Sequence, residues 1–268
     1  MKKIFMLLTL VGISTMFVTG CRTDSSQKGS NAPQPRNEIW YTSKDGDIVA
    51  PNKLPKRYIS EVFGVNMVSN TYQDGKGVIV FDDDVKWIGA MAFKDQCNLT
   101  SISIPEGVTK IMKASFANCT SLTSITIPHG VTDINERAFY GCTNLTSIII
   151  PNSVVKIGDN AFANCTSLAS IALPYPASYV TISLGERAFA NCTSLASIYC
   201  KLSNPPTLYG NNTFAGVSSD CNLYVQPKSV EIYKKTTGWR KFYNTTVGYD
   251  FPRDYYDKTT NRIRGYNN

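Results

Sequence analysis

The sequence predicts an α/β solenoid of about six repeats, each about 23 residues long. Three observations carry this reading. Phenylalanines of an Ala-Phe-like element recur at Phe93, Phe116, Phe139, Phe162, Phe189 and Phe214; the first three intervals are 23 residues each, and the last two are 27 and 25. Six residues after each of the first five stands a leucine, at Leu99, Leu122, Leu145, Leu168 and Leu195. Then comes an I-x-I-P element: Ile102, Ile104 and Pro105; Ile125, Ile127 and Pro128; Ile148, Ile150 and Pro151; Ile171, Leu173 and Pro174. One coil offers about seven inward apolar side chains, ~10 to 15 kcal/mol of burial at best, against ~1 to 2 kcal/mol of backbone entropy for each residue ordered. A lone repeat therefore cannot fold, and stacked repeats that share faces can.

Taken in order, the chain divides into five segments. Residues 1–20 read as a secretory signal: Lys2 and Lys3, an apolar run from Ile4 to Val18 that is short for a membrane span, then Thr19 and Gly20. Val18-Thr19-Gly20-Cys21 resembles the bacterial lipoprotein box, which implies cleavage before Cys21 and acylation of that residue. Residues 21–38 are polar and Pro-containing, a flexible tether. Residues 39–86 read as a β-rich N-terminal piece, with Asp45-Gly46 and Asp74-Gly75 as hairpin turns between apolar strands. Residues 87–225 hold the repeats. In each, the I-x-I alternation makes a strand with one buried face and Pro ends it; V-x-x-I and A-F return the chain through a short extended segment and a helical turn. Residues 226–268 supply an aromatic closing segment around Tyr233, Trp239 and Phe242 and a basic, aromatic tail.

With the residues set out, the repeat block resembles the BspA-type leucine-rich repeats of bacterial surface proteins, and the flanks are similar to those of Bacteroides members. The resemblance implies a leucine-rich-repeat solenoid with a cap at each end. It also implies adhesion, as a module that binds host or bacterial surface proteins. A glycan-binding accessory lipoprotein of the outer membrane is the alternative. Either way the membrane is reached through the N-terminal lipid. Only Asp24 follows Cys21 closely as an acid, so an outer-membrane lipoprotein could face the cell surface or the periplasm.

Composition argues against catalysis. A single histidine in 268 residues means that any Ser-His or Cys-His centre must use His129, and no His-rich metal cluster can form. His129 follows Pro128 in a slot filled by Glu106, Asn152 and Tyr175 in other repeats, the mark of an exposed loop. No enzyme, cofactor or metal is expected. The formal charge of +7 arises at the ends: Lys2 and Lys3 leave with the signal, and residues 226–268 carry nine basic and four acidic residues. Its interleaved basic and aromatic residues could serve nucleic acid or acidic glycans, but the tail is read as a cap followed by a solvated end, with no nucleic-acid partner expected.

Cys119, Cys142, Cys165 and Cys192 each lie three residues after the repeat Phe, with Cys97 displaced by one, so they should form a reduced, packed ladder. Cys200 and Cys221 stand outside it, and their pairing is left open. Asn118, Asn164 and Asn191, each in Asn-Cys-Thr, are explained by a required turn. Asp82-Asp83-Asp84 reads as a turn needing no metal. On the exposed strand face a Ser column (Ser101, Ser124, Ser147, Ser170, Ser197) runs beside a variable one (Ser103, Thr126, Ile149, Ala172, Tyr199) that becomes less polar toward the C-terminus. The stretched fourth repeat adds about four residues within Tyr175 to Ser183. Ile149, Tyr175, Tyr179 and Tyr199 are the expected binding patch, because exposed Tyr offers a large contact area with a polar tip. The competing reading has Tyr175 and Tyr179 covering the flank of the stack.

Overall fold

The computed structural model describes residues 33–51, 59–176 and 180–251. The signal, Cys21, most of the tether, Tyr179 and the end of the tail lie outside the described residues. The chain begins with β1 (Glu38–Ser43), a short helix α1 (Ile59–Phe63), β2 (Met67–Gln73) and β3 (Lys76–Phe81). Paired strands then follow coil by coil: β4 (Trp87–Ile88) and β5 (Leu99–Ser103), β6 (Lys110–Ile111) and β7 (Ser124–Thr126), β8 (Asp133–Ile134) and β9 (Ser147–Ile149). Next come β10 (Lys156–Ile157) and β11 (Ser170–Ala172), β12 (Ser183–Leu184) and β13 (Ser197–Cys200), β14 (Thr207–Leu208) and β15 (Asn222–Val225). Helix α2 (Val230–Lys235) and strand β16 (Thr246–Gly248) are the last of these elements, and the described chain runs on to Phe251.

The result is a β-solenoid of about seven turns, one more than the six phenylalanines suggest. The seventh is made by β16, which pairs parallel with β15 although its sequence keeps no Ala-Phe element. Each coil has three limbs, and the backbone N–H groups of all three reach into a neighbouring coil. The two-residue strands form one parallel column, from β4 to β14. The I-x-I strands form the other, with equivalent residues in register: Ser101 beside Ser124, and Ser147, Ser170, Ser197 and Asn222 in line.

The third limb corrects the expected helical turn. Residues two before and two after the repeat Phe have left-handed backbone in most coils, as at Ala114 (φ 53°) and Asn118 (φ 60°) or Asn160 (φ 55°) and Asn164 (φ 63°). A left-handed residue interrupts a right-handed helix. The Phe N–H groups therefore bond sideways, Phe116 to the Ala138 carbonyl at 2.8 Å and Phe139 to that of Ala161 at 2.7 Å. Among the described residues α-helix is confined to α1 and α2, outside the repeats, so the α of the expected α/β class is not a property of the coils.

Inside, the phenylalanines form one column. Neighbouring rings from Phe93 to Phe214 stack with centroids 5.1 to 5.7 Å apart and planes within 9°. Both ends of the column meet rings turned against it: Phe63 edge-on to Phe93, and Trp239 and Phe242 against Phe214. A turned ring offers its positive edge to a π-face that no further coil covers. At the N-terminal end β1 lies between β3 and β5, antiparallel to both. Asp74 (φ 51°) and Gly75 (φ 79°) make the expected β2–β3 hairpin turn. Asp45-Gly46 also turns, with the Asp45 carboxylate accepting the Asp47 N–H at 3.1 Å, but β1 forms no hairpin there.

The thiols are structural. Cys119, Cys142, Cys165 and Cys192 are fully buried, and each S–H donates to the carbonyl of the Phe one coil back, at Phe93, Phe116, Phe139 and Phe162, over 3.0 to 3.2 Å. None of the seven cysteines from Cys97 to Cys221 is in a disulfide. Cys200 instead lies 3.0 Å from the Tyr233 hydroxyl. Burial pushes the Cys119 and Cys192 thiols up to about 12 and holds Cys142 and Cys165 well above the ordinary range.

Candidate interaction surface

The wide strand column presents its outward side chains to solvent. At the first coil Ser103 Oγ donates to Gln34 Oε1 at 2.5 Å, and β1 extends the sheet beyond β5. Toward the C-terminus the outward face becomes aromatic. Register places Ile149, Ala172, Tyr199, Tyr224 and Val247 in one line across β9, β11, β13, β15 and β16. Tyr199 and Tyr224 stack at 4.7 Å with planes 9° apart. Tyr249, two residues beyond Val247 and so on the same side of the chain, stands edge-on to both at 6.0 and 5.7 Å. Phe251 meets Tyr249 edge-on at 4.8 Å. Desolvation by burial raises Tyr224 and Tyr249 above the ordinary phenol range, with neighbouring tyrosines adding to it, so both hydroxyls remain donors.

Of the expected patch, Ile149 and Tyr199 share this line, with buried Ala172 between them. Tyr175 is 38% exposed and borders a different groove, of about 510 Å³, with Pro176, Val180, Leu202 and Pro205. Its link to the aromatic face is Lys201, whose Nζ lies 5.0 Å from the centre of the Tyr175 ring. Tyr179 lies outside the described residues. Tyr224, Tyr249 and Phe251 were not singled out as binding residues by sequence. A signal for Tyr224 existed, since it stands 25 residues after Tyr199, as Phe214 stands 25 after Phe189. For Tyr249 and Phe251 none did, because the seventh turn has no recognisable repeat.

Beside the aromatic cluster a groove of about 610 Å³ is lined by Lys201, Gln226, Lys228, Tyr249, Asp250 and Phe251. Gln226 Nε2 donates to the Lys201 carbonyl, tying the floor together. A third groove, of about 680 Å³, runs along the narrow strand column past Lys113, Glu136, Gly158, Asp159, Gly185 and Tyr209. It follows from coil stacking. A Cβ on Gly158 would come within 2.6 Å of the Glu136 nitrogen, and one on Gly185 within 2.5 Å of the Asp159 nitrogen. The charges there are also engaged, Glu136 with Lys113 at 2.9 Å and Asp159 Oδ1 with the Glu186 N–H at 2.8 Å. The acidic run is engaged too: both Asp82 carboxylate oxygens accept from Asn66, at 2.9 and 2.8 Å.

Residues 86–220 and 181–246 match the family described as BspA type Leucine rich repeat region, in six copies. Solved structures with a similar fold include the pneumococcal vaccine antigen PcpA, 22% identical with a TM-score of 0.51, covering 62% of this chain and 40% of that one. A leucine-rich-repeat protein from T. pallidum is 28% identical over 44% of this chain and 53% of its own, with a TM-score of 0.37. One from Bacteroides ovatus is 27% identical over 59% and 45%, with a TM-score of 0.35. The chain thus spans about half or less of the length of these proteins. No curated protein matches it. The repeat family and the solenoid fold are those of binding scaffolds, and no catalytic family is indicated. By its repeats, which carry the family pattern through more than half of its length, this protein belongs to the BspA-type leucine-rich-repeat family.

Proposed function

We propose that this is a lipid-anchored envelope protein that binds macromolecules of host or bacterial surfaces, with the aromatic end of its strand face as the contact. The observation that carries the reading is the line Tyr199, Tyr224 and Tyr249, which sets large rings with polar tips on the solvent side of a rigid sheet. Such rings give contact area at small cost in side-chain entropy. The N-terminal hairpin and the closing aromatics act as caps that keep the stack's ends from pairing with other sheets. Cys21 carries the lipid that ties the protein to the membrane.

Three experiments test this. Replacing both Tyr199 and Tyr224 by Ala in the full chain should weaken capture by immobilised host-matrix or bacterial surface proteins by about tenfold or more, the loss expected for two aromatic anchors. Unchanged capture removes the contact face. Cys21→Ser should abolish incorporation of a labelled fatty acid and release the protein from the membrane fraction. Protease added to intact cells then reports which side of the outer membrane it faces.

A further inference from the structure

The groove beside the aromatic line has a lining that selects a ligand class. Lys201 and Lys228 supply positive charge, Tyr249 and Phe251 supply rings, and Asp250 and Gln226 supply acceptors within the same hollow. Lys201 is half-buried, and its Nζ lies 5.0 Å from the centre of the Tyr175 ring, which lines the neighbouring groove. With its Nε2 donating to the Lys201 carbonyl, Gln226 keeps Oε1 as an acceptor.

We propose that this groove binds a carboxylated sugar unit of an acidic glycan, with Lys201 and Lys228 on the carboxylate, Tyr249 and Phe251 against the ring's C–H face, and Asp250 and Gln226 accepting from hydroxyls. The inference rests on the reading of the aromatic end as the contact surface and narrows what it contacts. A simple anion gains from the lysines but has no hydroxyl for Asp250 and Gln226 to accept from and no apolar face for the two rings. An apolar protein anchor would use the two rings but neither the lysines nor Asp250. A uronic or sialic acid unit uses all of them, because it joins a carboxylate, hydroxyls and an apolar ring face. The volume also lies within the range of small-ligand sites.

The test is calorimetric titration of the full chain with a galacturonic acid trimer, sialyllactose, a neutral galactose trimer and a glutamate trimer. At least one acidic sugar should bind, at least about tenfold more tightly than the neutral trimer, the size of one charge-assisted contact. Lys201→Gln combined with Lys228→Gln should remove that margin, and Asp250→Asn should weaken the acidic sugar severalfold. Unchanged thermal unfolding shows that the variants are folded. If the glutamate trimer binds as well as the sugars, or Asp250→Asn tightens binding, the groove is a general anion site and the sugar assignment falls. If none of the four binds at millimolar concentration, the assignment also falls. The wider reading is judged separately, by whether Tyr199→Ala with Tyr224→Ala still lowers capture of surface proteins.

Discussion

Removing one ring from the middle of the phenylalanine column should cost more than its surface area alone. Phe139 is fully buried, with Phe116 at 5.2 Å on one face and Phe162 at 5.1 Å on the other, in planes 2° and 9° from its own. Phe→Ala at a buried site costs ~3 to 5 kcal/mol, depending on how far the surroundings collapse. Collapse is resisted here. The spacing of the coils is fixed by hydrogen bonds on every limb, including Phe139 N–H to the Ala161 carbonyl at 2.7 Å and Phe116 N–H to that of Ala138 at 2.8 Å. Phe139→Ala should therefore fall near the top of the range, at ~4 to 5 kcal/mol, while Phe139→Leu keeps most of the volume and should cost ~1 to 2 kcal/mol. Because each coil touches only its neighbours, the Ala variant should also broaden the urea transition as the two halves uncouple. Equilibrium urea unfolding followed by far-UV circular dichroism measures both. A loss below ~1.5 kcal/mol for Ala, or equal losses for Ala and Leu, would refute the picture of a column held open by its backbone.

Three further outcomes follow from the same geometry. Gly141 has φ 70°, and a Cβ there would lie 2.6 Å from Asn118 Oδ1. Gly141→Ala should cost ~1 to 2 kcal/mol, whereas Gly141→Asn, the residue at this position in neighbouring coils, should cost clearly less, because Asn tolerates left-handed backbone and can repeat the Asn191 to Asn164 hydrogen bond of 2.8 Å; equal losses in thermal unfolding would contradict this. Gly77→Ala would drive a Cβ into the Tyr41 ring and should detach β1 from β3, seen as faster hydrogen exchange in both strands with the central coils unchanged. For the thiols, the folded pKa is raised, so above the unfolded value near ~8.5 only the unfolded chain loses the proton. Stability should then fall as pH rises from about 8.5 toward the folded values near 12 of Cys119 and Cys192, by ~1.4 kcal/mol per pH unit for each buried thiol. Cys142→Ala should flatten that slope in denaturation at pH 7 and pH 10, and an unchanged slope would show that the thiols do not drive the alkaline loss.

The repeat was legible because its physics is local and periodic. Leu99, Ile102 and Ile104 are buried, as are their counterparts in the following coils, since the alternation of a strand with one buried face is written into the order of the residues. The Cys ladder was legible for the same reason: a fixed offset from Phe in sequence becomes a fixed place in a stack. The limb around each Phe was not. Ala114, Arg137 and Arg187 adopt left-handed backbone without being Gly or Asn, and nothing in those residue types announces it. The coil-to-coil hydrogen bonds hold them there against a local cost of ~1 kcal/mol each.

The candidate site divides along the same line. The decreasing polarity of the outward column, and Ile149 and Tyr199 within it, could be read from spacing alone. What the sequence by itself determined is thus the repeat, its strands, its buried face and its family. What only the tertiary structure decided is that the described residues add a further turn to the stack, and what gathers beside it. A seventh turn without consensus residues pairs β16 with β15, bringing Tyr249 and Phe251 beside Tyr199 and Tyr224, while Tyr175 faces another groove. The physical reason is that a parallel strand needs only backbone hydrogen bonds to join a sheet, so the last coil can form without the side-chain pattern that identifies the others.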